Sequence, residues 1–324
     1  MSEQMKVLVM AVGAPLGQSI VKALRLSSLK PEIHVADISP LAAGLHLGEK
    51  HHVVLPLVRD PSYGQALADY ITNHGIRVIF PTIAAEHDYF ASHEQEMAAL
   101  GVQIATCSAN TFAVCNDKYE SMMALRRGGL AAPDTVVCQD ADEVEAFLAR
   151  SSFPIVLKPR SGASSNHVFI VRDRKKLDAL TGAFEQGYFV AQEFLQDPKD
   201  YTVGVYISRD GKFRDAFALE RNLKFGLSYS GYVCDDEAIR QYAMDAAALV
   251  GATFSVNVQL KLKDGVAFAY EINPRLSSTT GIRAHFGFNE PDLILREFAG
   301  LPLEHPQKAR KGEFARYWEE IYLP

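Results

Sequence analysis

Two short runs hold the residues best suited to chemistry. Val256-Asn257-Val258-Gln259-Leu260-Lys261-Leu262 is followed closely by Tyr270-Glu271-Ile272-Asn273-Pro274-Arg275. Both alternate apolar and polar residues, as half-buried strands do, so Gln259 shares a face with Asn257 and Glu271 with Asn273. A carboxylate with amide oxygens is a hard-oxygen set of the kind Mg²⁺ accepts, with waters or phosphate oxygens completing the shell. Arg275, just beyond, is suited to a transferring phosphoryl group or a substrate carboxylate.

Sharing one site requires the right register. Lys263-Asp264-Gly265-Val266 favours a two-residue turn, which would pair Gln259 with Tyr270 and send Glu271 to the opposite face. A three-residue loop over 263–265, with Gly265 left-handed and a bulge, restores the common face. The metal reading therefore expects the three-residue turn. The alternative is an ordinary exposed hairpin with scattered polar residues.

The elements that must position this hairpin fall into two halves. Residues 6–12 form a continuous apolar run, the mark of a buried parallel strand. A Gly13–Gly17 turn leads into a helix over 18–26, a strand over 32–36 ends at Asp37, and further strands are expected at 53–57 and 78–80 around a helix over 63–74. This alternation implies an open parallel sheet. Gly13-x-x-x-Gly17 with Asp37 about twenty residues later partly matches a dinucleotide fingerprint but lacks its full glycine set. An NAD(P)-dependent oxidoreductase is kept as an alternative.

The second half mixes helices with antiparallel strands, an α+β pattern. Helices are expected over 118–127, 140–149, 174–182 and 235–250, and strands over 153–159, 168–171, 188–195, 201–208 and 213–220. Lys158 closes one strand ahead of the small-residue loop 160–167, whose N–H groups could cradle phosphates with the Lys ammonium. Gln192-Glu193-Phe194-Leu195 ends another strand and could offer backbone groups and an apolar wall to an adenine. Asp200 could accept hydrogen bonds from a ribose. Strand ends and turns explain the same residues without a ligand.

Bulk properties exclude other classes. The 324 residues suffice for two or three domains, 48% are hydrophobic and 22% charged, as in an ordinary globular chain. A formal charge of −6 argues against a nucleic-acid surface. No apolar run approaches the roughly 18 residues of a membrane span, and residues 1–6 fit no targeting peptide. Cys107, Cys115, Cys138 and Cys234 have neither CxxC spacing nor clustered His partners, so reduced cytoplasmic thiols are expected. The pair His51-His52 reads as a strand entrance and not as a ligand pair.

The order of elements is more specific than any one of them. Asn116-Asp117-Lys118, Pro154-Ile155-Val156-Leu157-Lys158-Pro159 with its Ser/Gly loop, Gln192-Glu193-Phe194-Leu195, Asp200-Tyr201-Thr202-Val203 and Gln259…Glu271-Ile272-Asn273-Pro274-Arg275 follow in turn. This series resembles the ATP-grasp superfamily, in particular single-copy ligases similar to one half of the carbamoyl-phosphate synthase large subunit. The resemblance implies a Rossmann-like parallel domain over 1–114 and a two-subdomain α+β ATP-grasp module over 115–324. Its parts would be a small subdomain at about 115–190, a large one at about 191–300, and a C-terminal extension over 301–324.

By the same resemblance, Lys118 and Lys158 would contact ATP phosphates under a loop that includes Ser164 and Ser165. Gln192, Glu193, Phe194 and Leu195 would meet adenine, and Asp200 the ribose. Gln259, Glu271 and Asn273 would hold Mg²⁺, and Arg275 would face the γ-phosphate and an acyl phosphate. Arg221, Ser277, Ser278 and Arg283 are the candidates for a small anionic carboxylate, with an amine as co-substrate. A cytoplasmic ATP-dependent carboxylate–amine ligase follows, with Trp318 in a C-terminal segment that could pack on the body or in a homodimer. Three features depart from the pattern: the loop has a single glycine (Gly162) and carries Asn166-His167, Asp200 stands where Glu is commoner, and only one unit is present. Carbamoyl-phosphate synthesis is not expected of this chain alone. A nucleotide-binding regulatory protein with a degraded site is the second alternative.

Overall fold

The computed structural model describes residues 4–47, 50–162, 167–183, 185–305 and 310–323. Strand and helix alternate at first: β1 (Lys6–Val9), α1 (Pro15–Arg25), β2 (Glu32–Asp37), β3 (His51–Val54), α2 (Tyr63–His74), β4 (Val78–Phe80), α3 (Ala84–Ser92), α4 (Glu94–Ala99) and β5 (Gln103–Ile104). All five strands are parallel, in the order β3-β2-β1-β4-β5. Val7, Leu8 and Val9 are fully buried because helices cover both faces of the central strand. Helix α1 begins earlier than the sequence pattern implies, with Pro15 in its first turn, where a missing N–H costs nothing.

The turn after β1 is closed on itself. Asp37 Oδ2 accepts from the Gly13 N–H at 2.7 Å and Oδ1 from the Ser39 N–H at 3.0 Å. A Cβ on Gly44 would lie 1.9 Å from the Val12 carbonyl oxygen, so the 3-10 turn Ala43–His46 packs directly on the glycine turn. The carboxylate that a dinucleotide reading sets against a ribose is thus a turn cap, and the nicotinamide alternative loses its acceptor.

Helices α5 (Ala109–Asn116) and α6 (Lys118–Arg127) lead into β6 (Thr135–Val137), α7 (Ala141–Arg150), β7 (Ile155–Pro159), β8 (Phe169–Val171), α8 (Arg174–Thr181) and β9 (Phe189–Glu193). Their four strands form an antiparallel sheet ordered β6-β9-β7-β8. Asp117, Asp140 and Asp173 cap α6, α7 and α8 by accepting first-turn N–H groups.

The remaining elements are β10 (Asp200–Ile207), β11 (Arg214–Lys224), β12 (Leu227–Cys234), α9 (Glu237–Leu249), β13 (Phe254–Lys263), β14 (Val266–Asn273), α10 (Thr280–His285), α11 (Glu290–Phe298) and β15 (Glu313–Ala315). Six strands make one antiparallel sheet, β14-β13-β10-β11-β12-β15. Its two faces serve two cores. Val203, Val205, Val256 and Val258 pack with Ala243, Ala246 and Ala247 of α9, whose small side chains let the helix approach closely. Tyr206, Phe217 and Leu219 face the other way and join the core built around β1 and α1. The parallel sheet and the large antiparallel sheet thereby share apolar packing.

The β13–β14 hairpin corrects the expected turn. Lys263 pairs with Val266, and Asp264 and Gly265 take φ of 51° and 79°, so the turn has two residues, both left-handed. Pairing continues to Leu260 opposite Ala269, then skips Tyr270, and resumes with Gln259 opposite Glu271. The common face is restored by one bulged residue inside the strand, not by a longer loop.

Among the described residues no helix is long and apolar enough to cross a membrane. All four cysteines are unpaired. Trp318 is exposed, touching only the ring of Phe225 edge-on among the described aromatic residues.

Candidate functional site

Gln259 and Glu271 face each other across β13 and β14, with Asn257 opposite Asn273 as the next pair on that face. Asn257 is committed to the interior, its Oδ1 accepting from the Thr202 hydroxyl at 2.8 Å and from Arg283 at 3.4 Å. Gln259 Oε1 accepts from Arg221 Nη2 at 2.9 Å, which leaves the oxygen a second lone pair. Asn273 Oδ1 lies 3.5 Å from Arg275 Nη2. Glu271 differs from these: its half-buried carboxylate makes no hydrogen bond or ion pair among the described residues.

Three cations surround that carboxylate. Burial pulls Lys118, Lys158 and Arg275 below their ordinary pKa values, and the charge of Glu271 opposes the fall at each. Lys158 is pushed down to about 8, with Lys118 adding repulsion. Lys158 Nζ donates to Gln192 Oε1 at 2.9 Å and to the Tyr270 carbonyl at 2.8 Å. Lys118 Nζ donates to the Gly162 carbonyl at 2.8 Å, and Asn116 Oδ1 accepts from the Gly162 N–H at 3.1 Å. The start of the Ser/Gly loop is therefore fastened to the α5–α6 junction. Ser164 and Ser165 lie outside the described residues.

The strand-end segment is partly used within the protein. Glu193 donates its N–H to the Asp134 carbonyl at 2.8 Å, and its side chain accepts from Lys263 at 2.5 Å. Gln192 is buried between Lys158 and the Thr135 hydroxyl, Phe194 is half-buried and Leu195 buried.

Several candidate residues are held by partners within the protein. Asp200 and Arg221 pair at 2.6 Å, and Tyr270 OH bonds both Asp200 and Arg221 at 2.9 Å. Arg221 also reaches Ser228 and Gln259. Arg221 and Asp200 thereby form a buried base under Gln259. Arg283 is fully buried, bidentate to the equally buried Glu290 at 2.8 and 2.7 Å, and it bonds Ser277 and Thr279 as well. Ser277 turns its hydroxyl inward to Arg283 and Thr279, and Ser278 contributes its carbonyl, which accepts from Ser19 at 2.8 Å. These residues brace the hairpin against α1.

A cavity of about 190 Å³ opens between α3 and the hairpin, lined by His87, Phe112, Lys118, Glu271, Asn273 and Arg275 among others. A wider hollow of about 430 Å³ beside Leu24, Arg25 and Lys30 shares no residue with this cluster. His87 is the functional candidate that the sequence pattern missed. Its Nδ1 lies 2.7 Å from Thr106 Oγ1, its ring packs on Phe112, and its buried Nε2 has no partner among the described residues. Burial and the Arg275 charge push it down to about 3, so it is neutral. No motif marks it, because α3 itself lacks amphipathic periodicity; only Glu86 capping the Thr82 and Ile83 N–H groups gives the helix start away.

A parallel domain is followed by two antiparallel sheets, with Lys158 of the smaller sheet and Lys118 at the start of α6 turned on the Gln-Glu-Asn hairpin of the larger one, an arrangement that fits an ATP-grasp protein. Residues 187–321 match the family described as "ATP-grasp in the biosynthetic pathway with Ter operon", and residues 7–105 match "PylC-like, N-terminal domain". The chain belongs to the ATP-grasp superfamily. It is 30% identical over 131 residues to a D-alanine–D-alanine ligase of Haemophilus ducreyi, covering 37% of this chain and 43% of that protein. It is 24% identical over 226 residues to the carbamoyl phosphate synthase large chain of Gemmatimonas aurantiaca, covering 64% of this chain and 20% of that one. The chain thus matches less than half the length of either relative. N5-carboxyaminoimidazole ribonucleotide synthetase from Thermus thermophilus shares the fold with a TM-score of 0.75 at 17% identity, over 95% of this chain and 81% of that one.

Proposed function

We propose that the protein is an ATP-dependent carboxylate–amine ligase that works through an acyl phosphate and releases ADP and phosphate. The observation that carries this is Glu271: a carboxylate without a partner among the described residues, set opposite Gln259 and ringed by Lys118, Lys158 and Arg275. Three cations around one anion suit a polyphosphate, and an uncommitted carboxylate beside amide oxygens suits a hard divalent cation. Glu271, Asn273 and the second lone pair of Gln259 would hold Mg²⁺, which when bound neutralises phosphate charge.

Lys118 and Lys158 exchange their present carbonyl and amide acceptors for phosphate oxygens, helped by Ser164 and Ser165. Gln192 to Leu195 border the adenine. Arg275 steadies the transferring phosphoryl group as it meets the substrate carboxylate in the cavity, and the amine then displaces phosphate. Positioning and charge supply the catalysis, so no nucleophilic side chain is needed. The cavity of about 190 Å³ admits a small acid. We assign 1–114 to the parallel domain, about 115–190 and 191–300 to the two ATP-grasp subdomains, and place the enzyme in the cytoplasm, with a homodimer as its assembly.

The test is ADP release from ATP and Mg²⁺ across a panel of small acids and amines. Release that needs both partners, and falls by at least about 10²-fold in Glu271→Gln, is expected from the loss of a charge-stabilising group. ATP binding without acid-dependent release would favour a regulatory nucleotide sensor instead.

A further inference from the structure

Three imidazoles from three elements meet at an edge of the parallel sheet, outside the cleft. His34 of β2 is the direct partner of His51 of β3, so both project from one face, as does Glu32 two residues before His34. His74, the last residue of α2, closes over that face. One ring nitrogen from each His lies within 4.8 Å of one from the others. Glu32 Oε1 accepts from His34 Nε2 at 2.9 Å and lies 3.8 Å from His51 Nε2. Tyr70 OH is 2.9 Å from His34 Nδ1.

We propose that His34, His51, His74 and Glu32 form a binding site for a zinc-class transition-metal ion. Zinc takes four N, O or S donors at about 2.0–2.2 Å, which spaces tetrahedral donors roughly 3.3–3.5 Å apart. The two distances from Glu32 Oε1, 2.9 and 3.8 Å, bracket that spacing. Imidazole donors favour Zn, Cu, Ni or Fe over Mg, so this site is chemically distinct from the oxygen-lined hairpin.

The exchange balances. A metal ion takes the His34 Nε2 lone pair and one Glu32 oxygen, and the ring's single proton moves from Nε2 to Nδ1 by exchange with solvent, with no net release. Tyr70 turns from donor to acceptor, receiving the Nδ1–H and fixing the ring as an outer partner. Burial already favours neutral His34. Lys6, 4.0 Å from Glu32, is the opposing charge. Bound metal ties the edge strand β3 and the end of α2 to β2. His52, one residue along, alternates to the other face beside His46 and takes no part.

The experiment is a Zn²⁺ titration of the full chain after chelator treatment, in excess Mg²⁺, followed by calorimetry. One Zn²⁺ per chain is expected. His51→Gln and His74→Gln, both half-buried and so tolerant positions, weaken binding at least tenfold, whereas His52→Gln leaves it unchanged and Lys6→Gln makes it no weaker. Co²⁺ substituted for Zn²⁺ gives the visible absorption of a tetrahedral site, lost in His51→Gln. Absence of stoichiometric binding, or equal loss in His52→Gln, overturns the assignment. Neither result bears on ligase activity.

Discussion

Lys158 and Tyr270 are joined twice: the ammonium donates to the Tyr270 carbonyl at 2.8 Å and stands 5.7 Å from the centre of its ring. Tyr270 is the bulged residue, with no partner on β13, so its carbonyl is available to a side chain. One irregularity therefore orients Lys158 and brings Glu271 opposite Gln259. Deleting Tyr270 leaves Gln259 opposite Glu271 but removes the carbonyl that holds the Lys158 ammonium and the hydroxyl that bonds Asp200 and Arg221. The expected result is loss of ATP-dependent thermal stabilisation and of ADP release. Retained release in the deletion variant would show that the bulge is not needed to orient Lys158.

Lys158 gives the site an alkaline limit. Its pKa in the folded protein is pushed down to about 8 by burial, against 10.5 when free. The cation is therefore lost as pH rises through about 8, and ligase turnover should fall there. Stability moves oppositely: between about 8 and 10.5 the unfolded chain binds more protons at this residue, so its burial penalty is relieved as pH rises. ATP binding near pH 8.5 should draw a proton onto Lys158. Calorimetry in buffers of different ionisation enthalpy reads that uptake, and Lys158→Met should abolish it.

The sequence made much of this legible, for reasons that differ by residue. Alternation placed Gln259 with Asn257, and Glu271 with Asn273, because their neighbours Val258 and Ile272 needed burial against α9. It misjudged the turn because a bulge leaves no compositional mark; Tyr270 is as good a strand residue paired as unpaired. Arg221 and Arg283 looked like substrate clamps because charge reads as exposure in a linear string. Their partners, Asp200 and Glu290, come from the facing strand and from the next helix. His87 and the three clustered imidazoles were invisible for the same reason, since only the fold brings them to their neighbours.

The Arg283–Glu290 pair is a structural cross-tie and should behave as one. Both side chains have no solvent exposure, and a Cβ on Gly204 would stand 2.2 Å from Arg283 Nε. Glu290→Ala strands a buried guanidinium and should destabilise the chain by about 3–5 kcal/mol in denaturant melts. Gly204→Ala should be destabilising through the clash alone. Neither residue lines the cavity, so nucleotide affinity in the surviving folded fraction should stay near wild type.

His87 offers a test that separates the acid end of the cleft from the nucleotide end. Its buried Nε2 has no partner among the described residues, and the ring lines the cavity together with Arg275, which suits recognition of the substrate carboxylate or amine. His87→Phe preserves ring packing on Phe112 and removes that contact, so KM for the acid should rise while ATP-dependent stabilisation is unchanged. A second readout follows from charge. With a folded pKa of about 3 against 6.5 when free, His87 contributes stability above pH 6.5 that is lost as pH falls toward 3. His87→Phe should therefore flatten the fall in melting temperature between pH 6.5 and 4. An unchanged acid slope would mean that the imidazole is protonated, and solvated, in the folded protein.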